Sequence, residues 1–224
     1  LHAKVDYAKS EFVTLASHQL RTPISAIGWF SEMLLSDDAG KLKNQQTEYV
    51  QGIYDSNRRL ESIVNEMLMV SSLDLGTIYT RPEPTDLPVL AHKLLREELK
   101  KVPEKKLSIK ETSAHDLPNL RLDALLAKHM LQTLFSNATK YTPAGGSITV
   151  HISRSSEKLT TASKGSVVIS VADTGYGIPE SEHGNVFAKL FRAANIKTKD
   201  VDGTGLGLYT VKALLDQVGG RINF

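Results

Sequence analysis

Two stretches of this chain place apolar residues in alternating steps of three and four, a spacing that admits little except paired helices. Val13, Ala16, Leu20, Pro23, Ile27, Phe30 and Leu34 keep it through residues 5–35. Val50, Ile53, Asn57, Leu60, Val64, Met67 and Ser71 keep it through residues 45–75. Positions that repeat this way form one stripe along a helix, the seam of a bundle. Residues 36–44, with Asp37, Asp38, Gly40 and two lysines, read as the loop between them. Two long helices with a short connection predict an antiparallel hairpin. A lone hairpin cannot cover both stripes, so a dimeric four-helix bundle is the expected completion. Asn57, polar and inside the seam, is placed to set register or partner choice.

Within the first helix, residues 17–27 read SHQLRTPISAI. A proline in a helix interior costs roughly 3 kcal/mol or more, so the histidine beside it calls for a reason. His18 is two residues from both Ala16 and Leu20, about 200° around the helix from each. That phase turns the imidazole away from the seam, on the face shared by Thr22 and Ser25. The face is either a solvated polar surface or a working one.

Composition narrows the class. The 224 residues are 41% hydrophobic and 23% charged, ordinary for a folded protein with a real core. Twenty-seven Lys and Arg against 25 Asp and Glu leave a charge of +2, too balanced to point to nucleic acid or an anionic membrane surface. The absence of cysteine excludes disulfides and thiolate metal sites, and fits a reducing compartment. No apolar run approaches the ~20 residues that span a bilayer, and no signal peptide opens the chain. Because the first residues already read as helix, the expectation is a fragment of a longer protein. His2, His92, His115, His129, His151 and His183 have no metal-ligand spacing.

Residues 76–88, with three prolines in RPEPTDLP, read as a linker. The pattern then becomes mixed. A helix over 89–101 is followed by the strand-like KLSIK and NLRLD, then a helix over 124–141 stopped by TPAGG. SITVHI and SVVISVAD alternate like strands. A short helical piece over 180–192, a loop to 203, a helix over 206–218 and the start of a strand at RINF complete a mixed α/β layer domain.

Three constellations carry chemistry. Asn137, Lys140 and Tyr141 share a helix face at i, i+3 and i+4, where an amide oxygen, an ammonium and a ring can meet a metal ion, a phosphate and a base. Alone, the trio describes a solvated face with one half-buried tyrosine better than it describes a site. Asp173 ends a strand, and Gly175 and Gly177 after it suit a turn where backbone approaches a ligand. Gly203-Thr204-Gly205-Leu206-Gly207 opens a helix whose N–H groups suit phosphates. It lies too late in the domain for a dinucleotide fingerprint, which follows the first strand of a βαβ unit.

The order SHQLRTP, NATKYTP, DTGYGIP, VFAKLFR, GTGLGL resembles the two-component sensor histidine kinases, whose phosphoacceptor, N, first glycine, F and second glycine boxes these are. The resemblance covers nearly the whole chain. It implies a dimerisation and histidine phosphoacceptor hairpin over residues 1–80 and an α/β-sandwich ATP-binding domain of the Bergerat fold over 81–224. The final strands of that fold are expected beyond RINF. By the same resemblance His18 takes the γ-phosphoryl group of ATP, Asn137 binds Mg²⁺, Lys140 contacts phosphate and Tyr141 lies against the adenine. Asp173 accepts from the adenine amino group, Gly175 and Gly177 permit the turn, and Arg192 neutralises the transferring group. Residues 195–202 correspond to the ATP lid, and Gly203, Thr204, Gly205, Leu206 and Gly207 line the phosphates.

Two residues depart from the family. Gln19 stands where an acidic residue is usual, so the base remains open while the nucleophile does not. Thr133 replaces the usual first asparagine of the N box. Thr22, one turn after His18, matches a position that orients water in phosphatase chemistry, and Pro23 matches the family's bend. The implied partners are a second copy and the receiver domain of a response regulator, with no nucleic acid and no membrane contact by this segment. The implied location is cytoplasmic, in a soluble protein or as the inner part of a membrane-bound receptor. Two other functions fit some of the same residues. One is a nucleotide-binding dimer acting mainly as phosphatase or scaffold. The other is a non-kinase ATPase of the same fold, akin to the chaperone, gyrase or mismatch-repair enzymes.

Overall fold

The computed structural model describes residues 19–36, 40–78, 80–114, 117, 120–155, 166–197, 199 and 203–224, and of residues 2–18 the helical backbone alone. The chain divides into two compact units, Leu1–Ile78 and Tyr79–Phe224.

The first unit is a helical hairpin. Helix α1 (His2–Leu35) runs on through Pro23, and α2 (Asn44–Asp74) returns alongside it. Pro23 has no N–H for the carbonyl of Gln19, four residues back, so one rung of the α1 ladder is absent. Helix α2 opens with the Lys43 N–H donating to Gln46 Oε1 at 2.9 Å. It closes in a paired C-terminal turn: Thr77 N–H donates to Ser72 O and Gly76 N–H to Leu73 O, with Gly76 at φ 63°.

On α1 the hairpin closes on a different face from the stripe that the spacing marks, whereas on α2 Asn57 of the stripe is part of the closing face. Ile24, Ser31, Asn57, Val70 and Leu73 are buried, while Leu20, Ile27, Phe30, Ile53, Leu60 and Met67 all stay exposed. On α1 the closing face runs Ile24, Gly28, Ser31, one apolar residue and two small ones that let α2 come near. Much of the apolar stripe is therefore left on the outside of the single chain.

The second unit has a conventional core. Helices α3 (Leu87–Leu99) and α4 (Ala124–Tyr141) pack on a three-stranded sheet of β2 (Ser108–Ser113), β4 (Ser147–Ser155) and β5 (Ser166–Asp173), in the order β2-β4-β5. Strand β4 lies parallel to β2 and antiparallel to β5. Alternation does the sorting: Ile148, Val150 and Ile152 of β4 face Leu94, Leu95, Leu131 and Phe135, while Ile109, Val167, Ile169 and Val171 pack partly buried beside them. Helix α6 (Gly207–Gln217) lies against α4 and buries Thr210, Val211 and Leu214.

Four elements differ from the sequence reading. The proline-rich stretch holds a short strand, β1 (Glu83–Thr85), paired antiparallel with β3 (Leu120–Leu122). A two-stranded ribbon tolerates prolines at its edge, where no ladder N–H is required of them. Helix α3 starts two residues earlier than expected because Asp86 caps it, accepting from Val89 N–H at 3.1 Å. The piece expected helical to 192 is a 3₁₀ stretch, Glu180–Asn185. Residues 221–224 pair with no strand among the described residues.

Candidate functional site

Helix α4 supplies the second unit's site, and both of its ends are anchored from outside the helix. At the start, Asp123 accepts from Leu125 N–H (3.0 Å) and Leu126 N–H (3.1 Å) through Oδ1, and from Arg81 N–H (2.8 Å) through Oδ2. The Arg81 and Leu126 donors foremost hold its carboxyl below the ordinary carboxylate value. At the other end, Thr142 Oγ1 donates to Ala138 O at 2.6 Å. The Lys105 ammonium donates to three carbonyls there, Thr139 O (2.7 Å), Lys140 O (2.9 Å) and Thr142 O (2.9 Å). The last turn, which bears Asn137, Lys140 and Tyr141, is thus held at its orphan carbonyls. Asn137 and Tyr141 are half-buried and Lys140 is exposed.

Sheet register brings Asp173 to this end. It pairs with Ile148 at the close of β5, and Thr174 then ties the strand ends by donating its N–H to Ser147 O and accepting from Ser147 N–H. Asp173 Oδ1 accepts from Gly175 N–H at 2.9 Å, and Tyr176 N–H donates to Tyr141 O at 3.2 Å. Gly175 lies so close that a Cβ there would sit 2.6 Å from Tyr141 O and 2.5 Å from Asp173 Oδ1. Gly177 has another reason to be glycine, a φ of +65°. The N-box helix and the first glycine turn are therefore in direct contact.

The remaining pieces meet the same region. A Cβ on Gly203 would lie 3.3 Å from the Tyr141 hydroxyl. Gly205, at φ +73°, leaves no room for a Cβ against Leu190 C and Phe191 O, each 2.6 Å away. This joins the stretch before Arg192, itself half-buried, to the second glycine turn. Leu206 N–H donates to Thr204 Oγ1 at 3.2 Å. Gly207 starts α6, where a Cβ would meet Thr133 Cγ2 at 2.9 Å, so Thr133 serves as the α4 side of a close helix contact. Of the expected lid, α5 (Ala194–Lys197) is described, with Asn195 Nδ2 donating to Tyr176 O (3.2 Å) and Gly177 O (3.1 Å). Lys199 Nζ stands 5.3 Å from the Tyr176 ring centre. Residues 198 and 200–202 of the lid lie outside the described residues.

In the first unit, Gln19 and Thr22 are exposed on α1. His18 is in the same helix, and the direction expected for its imidazole lies outside the described residues. Sequence reasoning did not find Lys105 or Thr174, and it named Asn195 only as part of the lid. Thr174 follows Asp173 directly and was within reach; Lys105 acts on carbonyls more than thirty residues away and leaves no local signal.

Two family models match the chain. Residues 8–76 match the His kinase A phosphoacceptor domain, and residues 122–224 match the histidine kinase-, DNA gyrase B- and HSP90-like ATPase. The chain is 31% identical to the circadian input-output histidine kinase CikA of Synechococcus elongatus over 96% of its own length and 28% of the relative's. It is 32% identical to the sensor protein GacS of Pseudomonas syringae over 96% of its length and 23% of the relative's. The chain spans about a quarter of these curated relatives. Among solved structures, full-length ShkA in complex with AMPPNP superposes with a TM-score of 0.73 at 28% identity, covering 93% of this chain and 41% of that one.

Proposed function

This chain belongs to the two-component sensor histidine kinases as a catalytic core, and from that premise we propose that it autophosphorylates on His18 and passes the phosphoryl group to a response regulator. The γ-phosphorus leaves the bridging oxygen of ADP and bonds a ring nitrogen of His18, whose proton departs. The P–N bond then breaks in favour of a carboxylate oxygen of an aspartate on the regulator. Such transfers rest on positioning and charge stabilisation.

The observation that carries this reading is the junction of Tyr141, Asp173 and Gly175. The Tyr176 N–H on Tyr141 O and the missing space at Gly175 tie the turn after Asp173 to the backbone of Tyr141, which supports a reading in which the Tyr141 ring and the Asp173 carboxylate contact one base. In this reading Lys140 and the N–H groups of the second glycine turn take the phosphates, and Arg192 offsets charge on the transferring group. Asn137 holds Mg²⁺ through its amide oxygen. No group of three or more His, Cys, Asp or Glu able to hold a metal exists among the described residues. A lone amide oxygen fits Mg²⁺, which keeps waters and phosphate oxygens as its other ligands.

Gln19 has an amide oxygen that can accept a hydrogen bond without adding charge, and it is exposed beside Thr22. That pair also fits water-assisted removal of phosphate from the regulator, so the same face serves both directions. The exposed stripe supports a homodimer. Among the described residues no helix is long and apolar enough to cross a membrane, and we place the segment in the cytoplasm.

Incubation with γ-labelled ATP and Mg²⁺ tests the reading. Acid-labile, base-stable label that is lost in His18→Gln is the expected result. Hydrolysis of ATP with no label on the protein would overturn it.

A further inference from the structure

Asn195 lies at the root of the expected lid, yet its side-chain amide is engaged with the first glycine turn. Its Nδ2 donates to Tyr176 O at 3.2 Å and to Gly177 O at 3.1 Å. A primary amide carries two donors on one nitrogen, and with Gly177 at φ +65° two successive carbonyls reach that nitrogen. The next carbonyl is held as well, since His183 Nε2 lies 3.1 Å from Ile178 O.

The same turn reaches the base side of the site through its N–H groups. Tyr176 N–H donates to Tyr141 O, and Gly175 N–H donates to Asp173 Oδ1. Tyr176 is thus gripped on both sides of its Cα, with α4 taking its N–H and α5 its carbonyl. Helix α5 is itself tied back to this segment, because Glu182 accepts from Ala194 N–H at 3.0 Å. The turn that fixes the Asp173 carboxylate is therefore braced from the lid side by one amide.

We propose that Asn195 is a positioning residue for nucleotide binding: by donating to the Tyr176 and Gly177 carbonyls it holds the first glycine turn in the shape that aims Asp173 at the base. It acts through the turn and not through contact with the nucleotide. The inference rests on the ATP reading proposed above. A side chain that only filled space would need the size of asparagine, whereas this one needs its amide nitrogen. Aspartate separates the two, because it has the same shape, no donor when ionised, and a carboxylate facing two carbonyl oxygens.

The test compares the full chain with Asn195→Ala and Asn195→Asp by displacement of a fluorescent ADP analogue, with ATP and AMP as competitors. Asn195→Ala is expected to weaken ATP and AMP by the same factor, roughly tenfold, because the two differ only in phosphates and the turn serves the base. Asn195→Asp should lose at least as much. In autophosphorylation the loss should appear in KM for ATP, with kcat held within about twofold. Circular dichroism of the nucleotide-free variants shows whether they are folded at the assay temperature, and the isosteric Asn195→Asp carries the test alone if Asn195→Ala is not. Asn195→Asp binding like wild type would assign the residue to packing, and a loss confined to ATP would assign it to the phosphates; either result overturns the proposal. A wild type that binds no nucleotide would overturn the ATP reading itself, a result readable before any variant is made.

Discussion

The two units of this chain solve burial in opposite ways. The second unit hides leucines, isoleucines and a phenylalanine between two helices and a sheet, and the strands of that three-stranded sheet turn apolar side chains inward. The hairpin buries Ser31 and Asn57 beside a few apolar residues and leaves Leu20, Ile27, Trp29, Phe30, Ile53, Leu60 and Met67 exposed. One unit holds its own core; the other holds half of one. The lesson is that helical spacing alone does not say whether a stripe points to the neighbouring helix or to another molecule. The depth at which each residue ends up does.

The sharpest way to break that contrast is to damage each core in turn and ask whether concentration matters. Phe135 is 0% exposed, and Phe135→Ala should cost the second unit about 3–5 kcal/mol. In chemical denaturation that loss should not change with protein concentration. Ile53, 52% exposed in the single chain, should behave otherwise. Ile53→Asp is expected to raise the dimer dissociation constant about 100-fold, because a carboxylate must be desolvated at the interface; sedimentation equilibrium measures this. An Ile53→Asp chain that dimerises like wild type would remove the half-core reading.

A finer probe asks whether the second unit's rigidity serves its site. Lys105→Met takes three hydrogen bonds from the end of α4, and a loss of about 1–3 kcal/mol in nucleotide binding is expected. Titration with a fluorescent ATP analogue would measure it, with Lys105→Arg restoring part. The smallest effect is in pH. Because the Asp123 carboxyl is lowered from its ordinary 3.8, its contribution is complete above that value and is lost as pH falls further, through the lowered native value. Asp123→Asn should flatten this acid limb in thermal melts and leave stability near neutral pH within about 1 kcal/mol, since asparagine also caps.

How far the sequence could be read follows from how local each signal was. Helix α4 was legible to the residue, because Asp123 caps it and Thr142-Pro143 stops it within the same stretch of chain. Both hairpin helices were legible as helices. Their closing face was not, since Gly28 and Ser31 carry little apolar signal and matter by being small. Strand β1 was hidden by its prolines and by a partner 37 residues on, which only the folded ribbon reveals. The nucleotide pieces could be named from their motifs one by one. What joins them, the β4–β5 register that carries Asp173 back to Tyr141, is a property of the sheet.

The Lys105 ammonium has a further consequence for the field around α4. The carboxyl end of a helix carries roughly half a negative charge, the wrong polarity to show a polyphosphate. Three carbonyls of that end converge on one cation. The helix can therefore turn its anion-repelling terminus toward the glycine turns without repelling what binds there. Salt screens such fields over about 10 Å at 0.1 M, so nucleotide affinity should fall more gently with ionic strength when this lysine is lost.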